Sequence, residues 1–400
     1  MEDHKQEIKG LPGNAYRELK PGEEYKPVMP AHKTVPEVNL RSVLLGLLMA
    51  VIFSAAAAYL GLKIGQVFEA AIPIAIIAVG LSTVSKRKNA LGENVIIQSI
   101  GASSGVIVAG AIFTLPALYI LNLEAHFYQV FLSSLLGGFL GILFLIPFRK
   151  YFVSEMHGKY PFPEATATTE VLVSGEKGGS QARLLLVAGL IGGIYDFIIA
   201  TFGWWSEVFT SRVIPAGEMI ADKFKIVFKM NVGAAVMGLG YIIVLKYAAI
   251  IAAGSFIGWY VLIPVISHFA DGQTIAVGAN VTALLADMSP EEIFRNYVRQ
   301  IGIGGIAMAG VIGIIRSSGI IRSAFGLAFK ELGGKQAMTA DTKRTQRDIP
   351  MKIILFGIVI TAIVIFVFFW AGVVNNLTQA LIALAIVMII AFLFTTVAAN

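Results

Sequence analysis

Ten long apolar runs, separated by short and mostly basic loops, restrict this chain to one kind of fold. The run Ser42–Leu62 carries no charged residue. At about 1.5 Å per residue in a helix it reaches roughly 30 Å, the hydrocarbon thickness of a bilayer. Of the 400 residues 56% are hydrophobic and 14% charged, whereas a soluble domain carries about a quarter charged residues. Within lipid every backbone polar group has to be satisfied internally, and a helix does this alone. The fold class expected is therefore an all-α polytopic membrane protein.

The runs predict about ten transmembrane helices, at 42–62, 66–84, 94–118, 127–148, 182–205, 231–245, 247–267, 300–321, 353–374 and 377–398. The short run 231–245 is expected to pair with 247–267 as a bent unit around Lys246. Residues 1–40 are polar, mixed in charge and punctuated by Pro12, Pro21, Pro27, Pro30 and Pro36. They read as a flexible N-terminal tail, and they lack the apolar core of a secretory signal. Residues 41–400 form the transmembrane domain. The last run stops at Asn400 without a polar flank. Bare carbonyls inside lipid are costly, so the chain is expected to be the front part of a longer one.

Basic residues accumulate on the cytoplasmic side of membrane proteins. Lys86, Arg87 and Lys88, then Arg149 and Lys150, then the loop 322–352 with Arg322, Lys330, Lys343, Arg344 and Arg347, all fall on one side. The N-terminus and the 322–352 loop are then cytoplasmic, in the cell (inner) membrane. Glu124, Asp271, Asp287, Glu291 and Glu292 fall on the other side. Lys223, Lys225 and Lys229 depart from this pattern, and Ser206–Lys229 is read as an amphipathic segment lying on the membrane surface. The net charge of +6 thus orients spans, and no nucleic-acid partner is expected.

Several chemistries find no support. There is no Cys, so no disulfide or thiolate metal site. The five His are scattered without ligand spacing, and neither a metal nor another cofactor is expected. No phosphate-binding loop is present; Ile301–Ala307 is glycine-rich but lies inside an apolar run with no strand before it.

Three groups of residues are candidates for function. In the third run Asn94, Gln98, Gly101 and Gly105 recur at helical spacing and share one small, polar face, with Glu93 at the start of the span. This face lines a substrate path or serves helix packing through small residues and interhelical hydrogen bonds. Between the fourth and fifth runs, Pro161–Val171 combines two prolines with Glu164, Thr166, Thr168 and Thr169. It is too short to span and reads as a re-entrant segment entering from the cytoplasmic side, opposite the Asn94–Gln98 face. The alternative is a surface loop in which Glu164 starts a helix. Third come isolated charges in apolar runs. Lys63, Glu69 and Arg316 read as interfacial. Asp196 is deep in the fifth run, so it is a candidate proton carrier or a structural hydrogen-bonding group.

Gly61–Pro73, Glu93–Gly105 (ENVIIQSIGASSG) and Tyr160–Ala167 (YPFPEATA), with Lys343–Pro350 as weaker support, resemble stretches of the oligopeptide transporter superfamily, which includes the yellow-stripe-like metal-chelate carriers. The resemblance implies a proton-coupled secondary transporter importing small peptides or peptide-like compounds, with a possible homo-oligomer left open. Plant yellow-stripe-like members tend to carry a small, uncharged pair where this chain has Phe162–Glu164, which favours the peptide branch over metal chelates. A membrane-embedded enzyme would need a nucleophile–base pair or a metal cluster, and neither is visible. A passive channel would show rings of like residues in an oligomer.

Overall fold

The computed structural model describes residues 11–64, 70–160, 162–176, 180–269, 285, 287–332 and 344–399. In chain order the helices are α1 (Leu40–Ile64), α2 (Ala71–Val84), α3 (Leu91–Ile120), α4 (Phe127–Leu145), α5 (Pro163–Glu176), α6 (Ser180–Phe202), α7 (Pro215–Phe224), α8 (Ala234–Ile242), α9 (Val244–Phe256), α10 (Ile263–Phe269), α11 (Pro290–Ile293), α12 (Arg299–Leu332), α13 (Met351–Phe369) and α14 (Leu377–Ala399). A small antiparallel hairpin, β1 (Val208–Thr210) and β2 (Lys229–Asn231), brackets α7 and pairs Phe209 with Met230. The protein is an all-α polytopic membrane protein.

Among the described residues six helical segments are long and apolar enough to cross a membrane: Leu40–Tyr59, Leu91–Ile120, Phe127–Phe148, Val244–Phe269, Arg344–Val374 and Leu377–Thr395. Ala71–Val84 and Val187–Phe202 are shorter apolar helices. The run 231–245 becomes the nine-residue α8, and the run 300–321 lies within α12. Large apolar side chains such as Leu44, Leu48 and Val51 on α1 and Leu381, Ile386 and Ile389 on α14 point outward. Lipid covers such a surface; water does not.

The chain forms two compact units, residues 1–185 with 313–400, and residues 186–312. In unit 1, α1, α2 and α3 close over Met49, Ile74, Ala78 and Ile97. Gly101 makes this approach possible: a Cβ there would lie 2.8 Å from Ile74 Cδ1 and 3.1 Å from Met49 Cβ. A second core joins α2, α3 and α5 through Ala75, Val79, Leu91 and Leu172. A third joins α4, α13 and α14 through Leu136, Leu140 and Ile365.

Residues 11–39 have little regular structure, yet they run along unit 1 as a strap. Val28 and Met29 pack on the second core. Tyr16 Oη donates to the Glu170 carboxylate on α5. His157 Nε2 donates to the Asn14 carbonyl at 2.8 Å, and its ring lies 5.0 Å from that of Tyr25. Gly158, at φ +73°, lies against the Arg17 and Glu18 backbone where a Cβ would clash. Proline content suggests looseness; these partners hold the segment nonetheless. Arg344 donates to the carbonyls of Ala31 (3.3 Å) and Lys33 (3.2 Å), and Arg149 pairs in a two-pronged bond with Asp348. These bonds gather the strap and the loops before α5 and α13 at one end of unit 1. At the start of α4, Gln129 Nε2 donates to the Gly372 carbonyl past the end of α13 (2.8 Å).

In unit 2, α8 and α9 meet at Val244, whose φ of +67° is left-handed and unfavourable for a β-branched residue. The bend expected around Lys246 thus falls two residues earlier. From α9 the chain continues through a π-helical turn, Ile257–Leu262, into α10. Ile263, Leu285, Ile293 and Val298 form the core, and Trp259 stacks on Phe294 at 4.9 Å.

Candidate functional site

A cavity of about 580 Å³ opens in unit 1 between α3, α5 and the strap. From α3 it is lined by Val95, Gln98, Ala102, Ser103 and Val106, and from α5 by Ala165, Thr168, Thr169 and Leu172. Tyr25, Pro27, Val28 and Met29 of the strap complete the wall. The lining is largely apolar, with Gln98, Ser103, Thr168 and Thr169 as its polar groups. Small-molecule pockets share this character and range over roughly 300–1,000 Å³.

The residues singled out on α3 separate into three environments. Gln98 faces the cavity. Asn94, 2% exposed, accepts a 2.6 Å hydrogen bond at Oδ1 from Ser82 Oγ on α2. Gly101 serves the α1–α2–α3 contact, and Gly105 is buried. Gln98 sits at the edge of the Asn94–Gly101 face, where it joins the adjacent stripe 91, 95, 102, 106; that stripe, not the Asn94 face, walls the cavity. Glu93 is 1% exposed and fully engaged: Oε1 accepts from Asn39 Nδ2 (2.7 Å) and Arg87 Nη2 (2.5 Å), Oε2 from Arg41 Nη1 (2.9 Å).

On α5, Thr168 donates to the Glu164 carbonyl (2.8 Å) and Thr169 to the Ala165 carbonyl (2.7 Å). Both hydroxyl protons serve the helix itself, leaving lone pairs as acceptors toward the cavity. Glu164 is half-buried in the first turn, where its charge complements the helix dipole. Thr166 is half-buried, its amide bonded to the Phe162 carbonyl (2.9 Å). Pro161 and Glu69, and the side chain of Lys63, lie outside the described residues. So α5 faces α3 across a cavity, but opposite the stripe 91, 95, 102, 106 with Gln98, whereas the sequence placed it opposite the Asn94, Gln98, Gly101 and Gly105 face. Asp196 belongs to unit 2. Its Oδ1 accepts from the Ala234 amide (2.7 Å) and its Oδ2 from the Ala235 amide (3.1 Å), capping the first turn of α8. Arg316 is exposed on α12.

Among the described residues no group of three or more His, Asp or Glu could hold a metal ion. The family model "OPT oligopeptide transporter protein" matches residues 37–400. The chain belongs to the OPT oligopeptide transporter family. It is also similar to a Haemophilus influenzae protein named "Putative oligopeptide transporter", at 28% identity over 314 residues, covering 77% of this chain and 46% of that protein. The chain thus spans about half the length of the curated relative it matches. No solved structure matches it.

Sequence reasoning missed the partners that hold Glu93 and Asn94 in place. Asn39, Arg41 and Ser82 were not singled out, and Arg87 was read only as an orienting charge. An arginine directly before an uncharged run was the available signal for Arg41. The strap carried no motif. Its attachment shows in Tyr16, whose bond to Glu170, aided by burial, pushes the phenol up to about 12.

Proposed function

We propose that this OPT chain serves a secondary active transporter that imports small oligopeptides or peptide-like compounds across the cell membrane, with protons as the coupling ion. One observation carries the reading: in a member of an oligopeptide transporter family, Gln98, Thr168 and Thr169 converge on one cavity. A peptide offers amides, a carboxylate and an amine. The Gln98 amide both donates and accepts, and the threonine oxygens accept, so the apolar wall carries a few orienting polar groups. In this reading α5 is the re-entrant segment. At 14 residues it reaches about 21 Å at 1.5 Å per residue, short of a bilayer's hydrocarbon core. Glu93, Asn94, Gly101 and Gly105 hold α3 against its neighbours, while Glu164 and Thr166 shape the start of α5. The gathering of the strap with basic loops at one end of unit 1 supports a cytoplasmic N-terminus.

The test is uptake by proteoliposomes of the full-length protein, screened over a peptide library with an imposed pH gradient. Accumulation against the peptide gradient is expected, and Gln98→Ala should raise KM roughly tenfold, as loss of one orienting bond of about 1.4 kcal/mol would. Uptake of metal chelates without peptides, or equal uptake without the pH gradient, would replace this reading. For orientation, a cysteine introduced at Ala340, with any other cysteine of the full-length protein replaced, should resist an impermeant thiol reagent applied outside.

A further inference from the structure

Between Phe202, the end of α6, and Ala234, the start of α8, the chain builds a small element: the β1–β2 hairpin with α7 between its strands. Its inner face is closed. Ala221 and Val227 are buried, and Gly217 lies against the Ser211 carbonyl. Its acidic side is paired, although Glu218 (53%) and Asp222 (68%) stay open to solvent. Arg212 pairs with Glu218 (3.1 Å), Asp222 (3.5 Å) and Glu291 (3.2 Å), and Lys229 pairs with Glu291 (2.8 Å). Away from these carboxylates, α7 presents an apolar arc outward. Met219 is 62% exposed, Ile220 40% and Phe224 56%, and Val213 (74%) and Ile214 (57%) extend the arc before the helix.

Two cations accompany that arc. Lys223 lies within it, its Nζ 5.8 Å from the Phe224 ring centre. Lys225 ends the helix in a left-handed conformation, φ +57°. Among the described residues neither has an acidic partner, although every acidic side chain of α7 is paired with Arg212. The element is also tethered on both sides to apolar helices. Phe202 closes α6, and exposed Trp204 follows it (71%), a residue type enriched at membrane–water boundaries. Apolar residues on one arc, a lysine within it whose long stem can carry its charge outward, a second lysine at the helix end and a tether to apolar helices on both sides suit a helix lying in the interface plane.

From this we infer that α7 lies flat in the membrane–water interface, with Met219, Ile220 and Phe224 at the acyl boundary and Lys223 and Lys225 on the phosphates of anionic lipids. The partner is the bilayer holding the chain. Arg212 has a positioning role: by drawing Glu218 and Asp222 to the opposite side, it keeps negative charge away from the headgroups.

These 400 residues contain no cysteine; with any other cysteine of the full-length protein replaced, single sites can be introduced, labelled with an environment-sensitive fluorophore and studied in the protein reconstituted into vesicles. Met219→Cys is compared with Glu218→Cys, whose exposed ion pair contributes little to stability. The label at 219 should be quenched roughly twofold or more better by lipids carrying a shallow nitroxide than the label at 218, which should respond to aqueous iodide instead. Lys223→Gln with Lys225→Gln should lower lipid quenching at 219 in vesicles containing phosphatidylglycerol and leave it unchanged in phosphatidylcholine. Equal iodide quenching at 218 and 219 would overturn the inference. So would a 219 label shielded from both quenchers, which would mean that protein covers the arc.

Discussion

Glu93 in unit 1 and Glu291 in unit 2 are each gripped by two cations, but water reaches them very differently. Glu93 is 1% exposed and lies between Arg41 and Arg87. Glu291 is 32% exposed and lies between Lys229 and Arg212. The same arrangement therefore has different meaning. At Glu93 the carboxylate has lost nearly all its hydration, and the two part-exposed arginines with Asn39 make that tolerable. At Glu291 solvent screens the pairs, and their worth is small. The first fixes where α3 begins relative to α1; the second ties a surface hairpin to α11.

The largest expected effect breaks the buried member. Glu93→Gln leaves two part-exposed arginines facing a buried neutral amide and should cost up to about 3 kcal/mol, read as a fall in unfolding temperature of the purified protein. A fall no larger than that of a surface mutant would mean that water reaches Glu93 after all. Next comes the contact beside it: Gly101→Val forces two methyls toward Ile74 and Met49 and should destabilise by about 1–3 kcal/mol. A neutral result would show that α3 stands farther from α2 than the geometry has it.

Smaller again is Asp196→Asn, because an amide oxygen still accepts one of the two α8 amide protons. About 1 kcal/mol of stability is expected to go, with pH-driven uptake intact. Loss of gradient dependence in well-folded protein would instead make Asp196 a proton-coupling group. The smallest effect sharpens the exposed member. Burial alone would raise the Glu291 carboxyl, but Lys229 and Arg212 hold it below its ordinary value. A depressed carboxylate contributes stability above its unfolded pKa, about 4.3, and loses it as pH falls through the lower folded value. Amide exchange in β1 and β2 should therefore stay slow at neutral pH and speed up only well below pH 4; a change between pH 5 and 7 would point to another group.

The all-α fold was legible because hydropathy over a long window reports the solvent directly. Helix breaks were less so: nothing in the run 231–245 says that Val244 takes a left-handed backbone, since that depends on what packs around it. The convergence of Gln98 with Thr168 and Thr169 could be anticipated from one small, polar face and one segment too short to span. Which stripe of α3 lines the cavity could not, because Asn94 and Gln98 lie nearly above one another on the helix and only Ser82 separates them. The strap was illegible for a related reason. Proline-rich composition describes a chain without partners, and its partners, Glu170, His157 and Arg344, lie more than a hundred residues away.

Unit 1 is discontinuous in sequence, and its end-to-end bonds have a consequence in time. Arg149 finds Asp348, and Ala31 and Lys33 find Arg344, only after residues 186–312 have been made. At roughly 5–20 residues per second of synthesis, α1 to α5 wait on the order of ten seconds in the membrane before the rest of their own unit arrives. Through that interval the early helices rest on what α1, α2, α3 and α5 can build alone, with Glu93 and its two arginines among the first long-range bonds available to them.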